Sequence, residues 1–194
     1  LKFTDKRVVL IAPAPHIVEE KQDLSGFDVV CRMNKAVPIP KEVKKTTGDR
    51  TDVLYLTPAV HPNKDWENTK ELRVKPNILF STVKGRTLEK YFPYRKKLKI
   101  IDYEHFYNIW DEMGLIAISD ILSENPKELY ITGMTFYQTG GYYKGYKIPS
   151  KEIEQMIKNK GNIFKHRQDP QIEYFKKHFK HKVKMDKKLT EVIK

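Results

Sequence analysis

The chain has 194 residues, with 37 Lys and Arg against 25 Asp and Glu, a formal net charge of +12. Hydrophobic residues at 39% and aromatics at 11% suffice for a core, which excludes wholesale disorder and fits one domain with at most a small appendage. The single cysteine, Cys31, excludes an internal disulfide and the zinc ribbons and fingers that need several ligands. No apolar run approaches the roughly 20 residues of a membrane span, and no signal segment is visible, so a cytoplasmic location is expected. The charge leaves three partners open: nucleic acid, an anionic membrane or a phosphorylated small molecule.

Arg7 to Ala12 is a short β-branched run, as expected of a strand covered on both faces of a parallel sheet. Pro13-Ala14-Pro15 breaks it, and His16 to Lys21 reads as a short helix or turn. Phe27 to Arg32 is the second strand. Val37 to Lys45, with its prolines and lysines, reads as an exposed loop. Asp52 to Leu56 is the third strand, stopped by Thr57-Pro58. Asn63 to Lys75 is polar and reads as a surface helix. Asn77 to Ser81 and Leu98 to Asp102 are the fourth and fifth strands. Met113 to Leu122 is apolar enough for a buried helix, and Glu128 to Gly133 is the sixth strand. Gln138 to Lys165, rich in Gly, Tyr and Lys, reads as a mobile loop or lid. Ile172, Phe175 and Phe179 at helical spacing make Asp169 to Phe179 an amphipathic helix. The tail from Lys180 is basic and weakly periodic. Strands alternating with helices predict a single doubly wound α/β domain over 1–180, Rossmann-like and mostly parallel, with a lid at 138–165 and a basic tail over 181–194. In such sheets ligands bind beyond the carboxyl ends of the strands.

Several residues at those strand ends could carry chemistry. Asn34 could read a base or ribose, and Arg32 could grip a phosphate with two hydrogen bonds. From spacing alone, a capped turn with an exposed Arg is the better reading. Tyr137, Tyr142, Tyr143 and Tyr146 cluster after the sixth strand, and phenols can stabilise a departing phosphate without a metal. A tyrosine-rich loop packed on itself explains the same composition equally well. His166 precedes the last helix and is suited to take a proton near neutral pH, although a surface histidine among lysines is the simpler reading. Metal sites look poor, since no Asp-x-Asp pair follows a strand. The Walker loop, the Gly-x-Gly-x-x-Gly fingerprint and the Gly-x-Ser-x-Gly elbow are all missing from the sequence.

Three segments taken together resemble small single-domain bacterial sialyltransferases, with features of the wider sialyltransferase group. The strongest is Lys127 to Gln138 with Gly140, Gly141 and Tyr143, a strand ending in Gly followed by Phe-Tyr-Gln and a second Tyr six places after Tyr137. The others are Phe27 to Asn34 and His166 with the helix beginning Gln171-Ile172-Glu173. The resemblance spans Val8 to Phe179. It implies a metal-independent, inverting glycosyltransferase that moves sialic acid from a CMP-activated donor to a glycan or glycolipid acceptor, with no cofactor. His166 would be the general base, and Tyr137 and Tyr143 would hydrogen-bond the leaving phosphate. Asn34, Arg32, Ala14, Thr57, Gly114 and Gly133 would form the nucleotide site.

The sequence also departs from that pattern. The family's Gly-Asn-Gly-Pro-Ser turn is Ala12-Pro13-Ala14-Pro15-His16 here, and proline lacks an N–H for a phosphate or ribose. The family's Asn-Pro is Thr57-Pro58, and its Thr-Ser-Gly is Glu112-Met113-Gly114. Gly48-Asp49-Arg50-Thr51 resembles the wider group more than the bacterial one. A CMP-dependent transferase for another keto-sugar acid such as Kdo is the nearest alternative. A basic nucleic-acid- or membrane-binding module is the alternative of another class. The tail's lysines are expected to dock an anionic membrane or acidic acceptor in preference to nucleic acid.

Overall fold

The computed structural model describes residues 1–57, 64–74, 88–101, 113–139, 142–144, 146 and 168–194. Strands run through Arg7–Ile11 (β1), Val29–Met33 (β2), Val53–Leu56 (β3), Glu71–Val74 (β4), Leu98–Ile100 (β5), Glu128–Thr132 (β6) and Lys184–Met185 (β7). The α-helices are Lys41–Thr47 (α1), Met113–Ser123 (α2), Gln168–His178 (α3) and Lys187–Val192 (α4). The strands form one sheet in the order β5-β4-β3-β2-β1-β6-β7. Every neighbouring pair is parallel. The expected doubly wound, Rossmann-like α/β fold is therefore present.

Alternation along β1 explains the two cores. Val8 and Leu10 face a cluster that includes α2, α3 and α4 through Leu115, Ile118, Phe175 and Leu189. Val9 and Ile11 face the other cluster, with Ile17, Val43 of α1 and Trp66. Cys31 is fully buried in the first of these. Burial pushes its thiol pKa well up, so it is a packing residue.

Three elements differ from the sequence expectation. The stretch read as an exposed loop over 37–45 contains the start of α1, whose Val43 is buried. The stretch read as a surface helix over 63–75 is a 3-10 turn at Lys64–Asn68 followed by β4. That strand was hidden by its charges. Arg73 is fully buried, with Nε 2.6 Å from Glu71 and Nη1 3.0 Å from Glu124, and it also pairs with Asp120. The basic tail is not featureless either, since it carries β7 and α4. The strand expected over 77–81 lies outside the described residues, as does most of the expected lid. Among the described residues no helix is long and apolar enough to cross a membrane.

The chain leaves β1 for β2 on one side and returns to β1's other side only with β6. The connections diverge there, so the carboxyl ends of β1 and β6 flank the crevice where such sheets take ligands.

Candidate functional site

A cleft opens at this point, at the switch point where α/β sheets place their ligands. Ala12, Pro13 and Ala14 line it from the end of β1, Met33 and Asn34 from β2, and Thr57 from β3. Met113 and Gly114 bring the amino end of α2 to it, where helix N–H groups favour an anion. Gly133, Met134, Thr135, Phe136 and Tyr137 enter after β6, and Tyr142 and Tyr146 complete the wall. None of these residues is charged, although the chain carries +12.

The walls are fixed by backbone contacts. Ala12 N donates to Thr132 O and Ala14 N to Gly133 O, each at 2.8 Å. Gly133 has φ +73°, and a Cβ built on it would lie 2.1 Å from the Ala12 carbonyl oxygen. Only glycine allows the two strand ends so close. The turn after β1 consequently offers no N–H to a ligand over 12–15. Ala12 and Ala14 bond to β6, and Pro13 and Pro15 have none.

Asn34 sits at φ +49°. Its Oδ1 accepts from Thr57 N at 2.9 Å, which ties the ends of β2 and β3 and leaves the Nδ2 hydrogens as donors. Phe136 and Tyr137 have φ +48° and +61°, a strained conformation for bulky side chains. It turns the chain so that Tyr137 Oη lies 2.7 Å from Tyr142 Oη. Tyr142 in turn stacks on Tyr146, with ring centroids 4.6 Å apart.

Of the residues singled out in the sequence, Asn34, Ala14, Thr57, Gly114, Gly133 and Tyr137 come together in the cleft. Tyr143 does not line it. Its ring is buried in the core with Tyr146 and Ile17, and its N–H donates to Pro13 O at 3.0 Å. Burial pushes its phenol pKa up to about 12, against the pull of the nearby Arg32 charge. His166 lies outside the described residues. Met33, Tyr142 and Tyr146 were not singled out for the nucleotide site, although two of them belong to the tyrosine cluster already noticed.

Arg32 also stands apart from the lining. It is 1% exposed and donates through Nη2 to Thr47 O and Oγ1, both at 3.1 Å, and to Gly48 O at 3.0 Å. The guanidinium thus caps the carboxyl end of α1, where a cation is favoured. Burial lowers its pKa to about 10. Arg32→Ala is expected to cost on the order of 2–4 kcal/mol in urea unfolding, because it strands those acceptors. Arg50 sits at the opposite end of the sheet, with Nε 2.7 Å from Asp52 and Nη1 donating to Phe27 O at 3.0 Å. The Gly48–Thr51 turn therefore braces strand starts, away from the cleft.

No family model matches the sequence, and no curated protein matches it. Solved structures do match the fold. A variant of sialyltransferase CST-II in complex with CMP aligns at TM-score 0.58 and 13% identity, covering 95% of this chain and 87% of that one. Campylobacter jejuni CstII in complex with CMP-3FNeuAc aligns at TM-score 0.55 and 14% identity, with the same coverage of 95% and 87%. A mammalian sialyltransferase aligns at TM-score 0.50 and 13% identity, covering 80% of this chain and 65% of that one. The polypeptide therefore has a sialyltransferase-like fold, with a tyrosine-walled cleft at its switch point whose described lining residues carry no charge.

Proposed function

We propose that the chain is a CMP-sugar-dependent glycosyltransferase that moves sialic acid to a hydroxyl of a glycan or glycolipid acceptor. The observation that carries this reading is the uncharged cleft of Asn34, Tyr137, Tyr142 and Tyr146 at the switch point of a sialyltransferase-like sheet. The acceptor oxygen attacks the anomeric carbon as the bond from that carbon to the phosphate oxygen breaks. CMP leaves with the bonding pair, the acceptor proton passes to His166, and the configuration inverts.

Negative charge develops on the departing phosphate. The paired hydroxyls of Tyr137 and Tyr142 and the amino end of α2 are the groups suited to stabilise it. This assigns the second phenol to Tyr142 in place of Tyr143. The described lining offers phenols and amides where a metal-dependent transferase would offer carboxylates, which supports a metal-independent reaction. Asn34 Nδ2 is the donor placed to read the nucleotide.

Calorimetric titration with CMP, UMP and GMP tests the reading. Saturable binding of CMP, about tenfold tighter than UMP or GMP, is the expected result. Equal responses to all three, or binding that tracks salt alone as for a polyanion, would overturn it. A donor panel followed by CMP release then separates sialic acid from other keto-sugar acids.

A further inference from the structure

Against the β1 and β6 walls of the cleft lies a buried carboxylate that the reaction above does not use. Asp186 is 5% exposed and takes four donors. Its Oδ2 accepts from Gly133 N at 2.8 Å and Thr132 Oγ1 at 2.9 Å, and lies 2.9 Å from His16 Nε2. Its Oδ1 accepts from Leu189 N at 2.7 Å and so caps α4. These hydrogen bonds hold the carboxyl pKa below its usual value although burial pushes the other way.

The donors come from opposite sides of the switch point. His16 belongs to the 3-10 turn Pro15–Val18 that follows the cleft-lining Pro13 and Ala14. Thr132 and Gly133 end β6, and Gly133 lines the cleft itself. His16 is 5% exposed, and its Nδ1 is buried with no partner among the described residues. The ring's polar anchorage is therefore Asp186. A buried nitrogen left unsatisfied costs free energy, and here it accompanies a side chain long enough to bridge the β1 turn to the segment after β7.

We propose that Asp186, with His16, is a positioning pair for the nucleotide site. Its carboxylate clamps the β1 and β6 walls together and sets the geometry in which the cleft receives its ligand. This inference rests on reading the cleft as a CMP site. Neither residue is among those that line the cleft.

Asp186→Ser tests it, because Ser remains a good cap for α4 but is too short to hold Gly133, Thr132 and His16. Ile193→Val is the control. It loosens the same terminal segment in the core and leaves the carboxylate in place. Well below both melting temperatures, Asp186→Ser is expected to weaken CMP binding about tenfold or more, and Ile193→Val less than about twofold. His16→Gln keeps a donor and should retain most of the affinity that His16→Leu loses. Equal CMP affinity in Asp186→Ser and wild type would overturn the proposal. If wild type binds no CMP, the functional reading fails, and amide exchange decides the clamp by itself. Faster exchange at Gly133 and Ala14 in Asp186→Ser than in Ile193→Val upholds it, and equal exchange overturns it.

Discussion

His166→Ala is expected to lower turnover by about 10²–10⁴-fold while CMP affinity stays within about twofold. A sugar hydroxyl is a poor nucleophile until its proton begins to leave, and an imidazole is the side chain matched to that task near neutral pH. The described lining of the cleft contains no histidine, carboxylate or lysine to substitute. The loss should therefore fall on kcat, with saturating donor and acceptor, and leave nucleotide binding alone. Full activity in His166→Ala would place the proton acceptor elsewhere.

The second large effect concerns stability. Gly133→Ala is expected to destabilise the fold by about 3–5 kcal/mol and to abolish CMP binding. The left-handed conformation at φ +73° costs alanine roughly 1–2 kcal/mol by itself. The larger part is steric, because the new methyl would sit 2.1 Å from the Ala12 carbonyl oxygen and 3.3 Å from Ile17 Cδ1. That carbonyl has little room to retreat. The hydrogen bonds of Ala12 and Ala14 to β6 hold the two strand ends together on either side of it. For a domain of this size the change corresponds to a melting temperature lower by on the order of 10 °C, readable by circular dichroism. An unchanged midpoint would mean that the walls stand further apart than described.

Strands β1, β2, β3 and β6 and helix α2 were legible because each is an apolar run, and parallel strands buried on both faces read that way. Strand β4 was not legible. Glu71 and Arg73 look like surface residues until the partners that neutralise them are known, and Asp120 and Glu124 lie far along the chain. One missed element hid the surroundings of a residue. With α1 unseen, the terminal carbonyls that hold Arg32 were unknown, and spacing pointed to an exposed Arg where the side chain is buried. The cleft itself was largely legible, because sheet topology assigns ligands to strand ends and Asn34, Thr57, Gly133 and Tyr137 stand there. Which tyrosine faces the cleft was not. Tyr142 and Tyr143 are adjacent, and nothing in their sequence says which faces the cleft and which enters the core. The Asp186–His16 pair gave no local signal at all, since its members are 170 residues apart.

The position of β1 in the sheet also sets an order of events during synthesis. β1 leaves the ribosome before β6 and can pair with β2, but Arg7 waits 121 residues for Glu128 of its other neighbour. At translation rates of about 5–20 residues per second, that edge of Val8, Val9, Leu10 and Ile11 stays unpaired for on the order of ten seconds. An apolar open edge of this kind is a template for wrong partners, so the nascent chain is most exposed to aggregation before β6 appears. The cleft correspondingly forms after β6, with its β1 and β6 walls joined by Asp186 only when that segment has emerged.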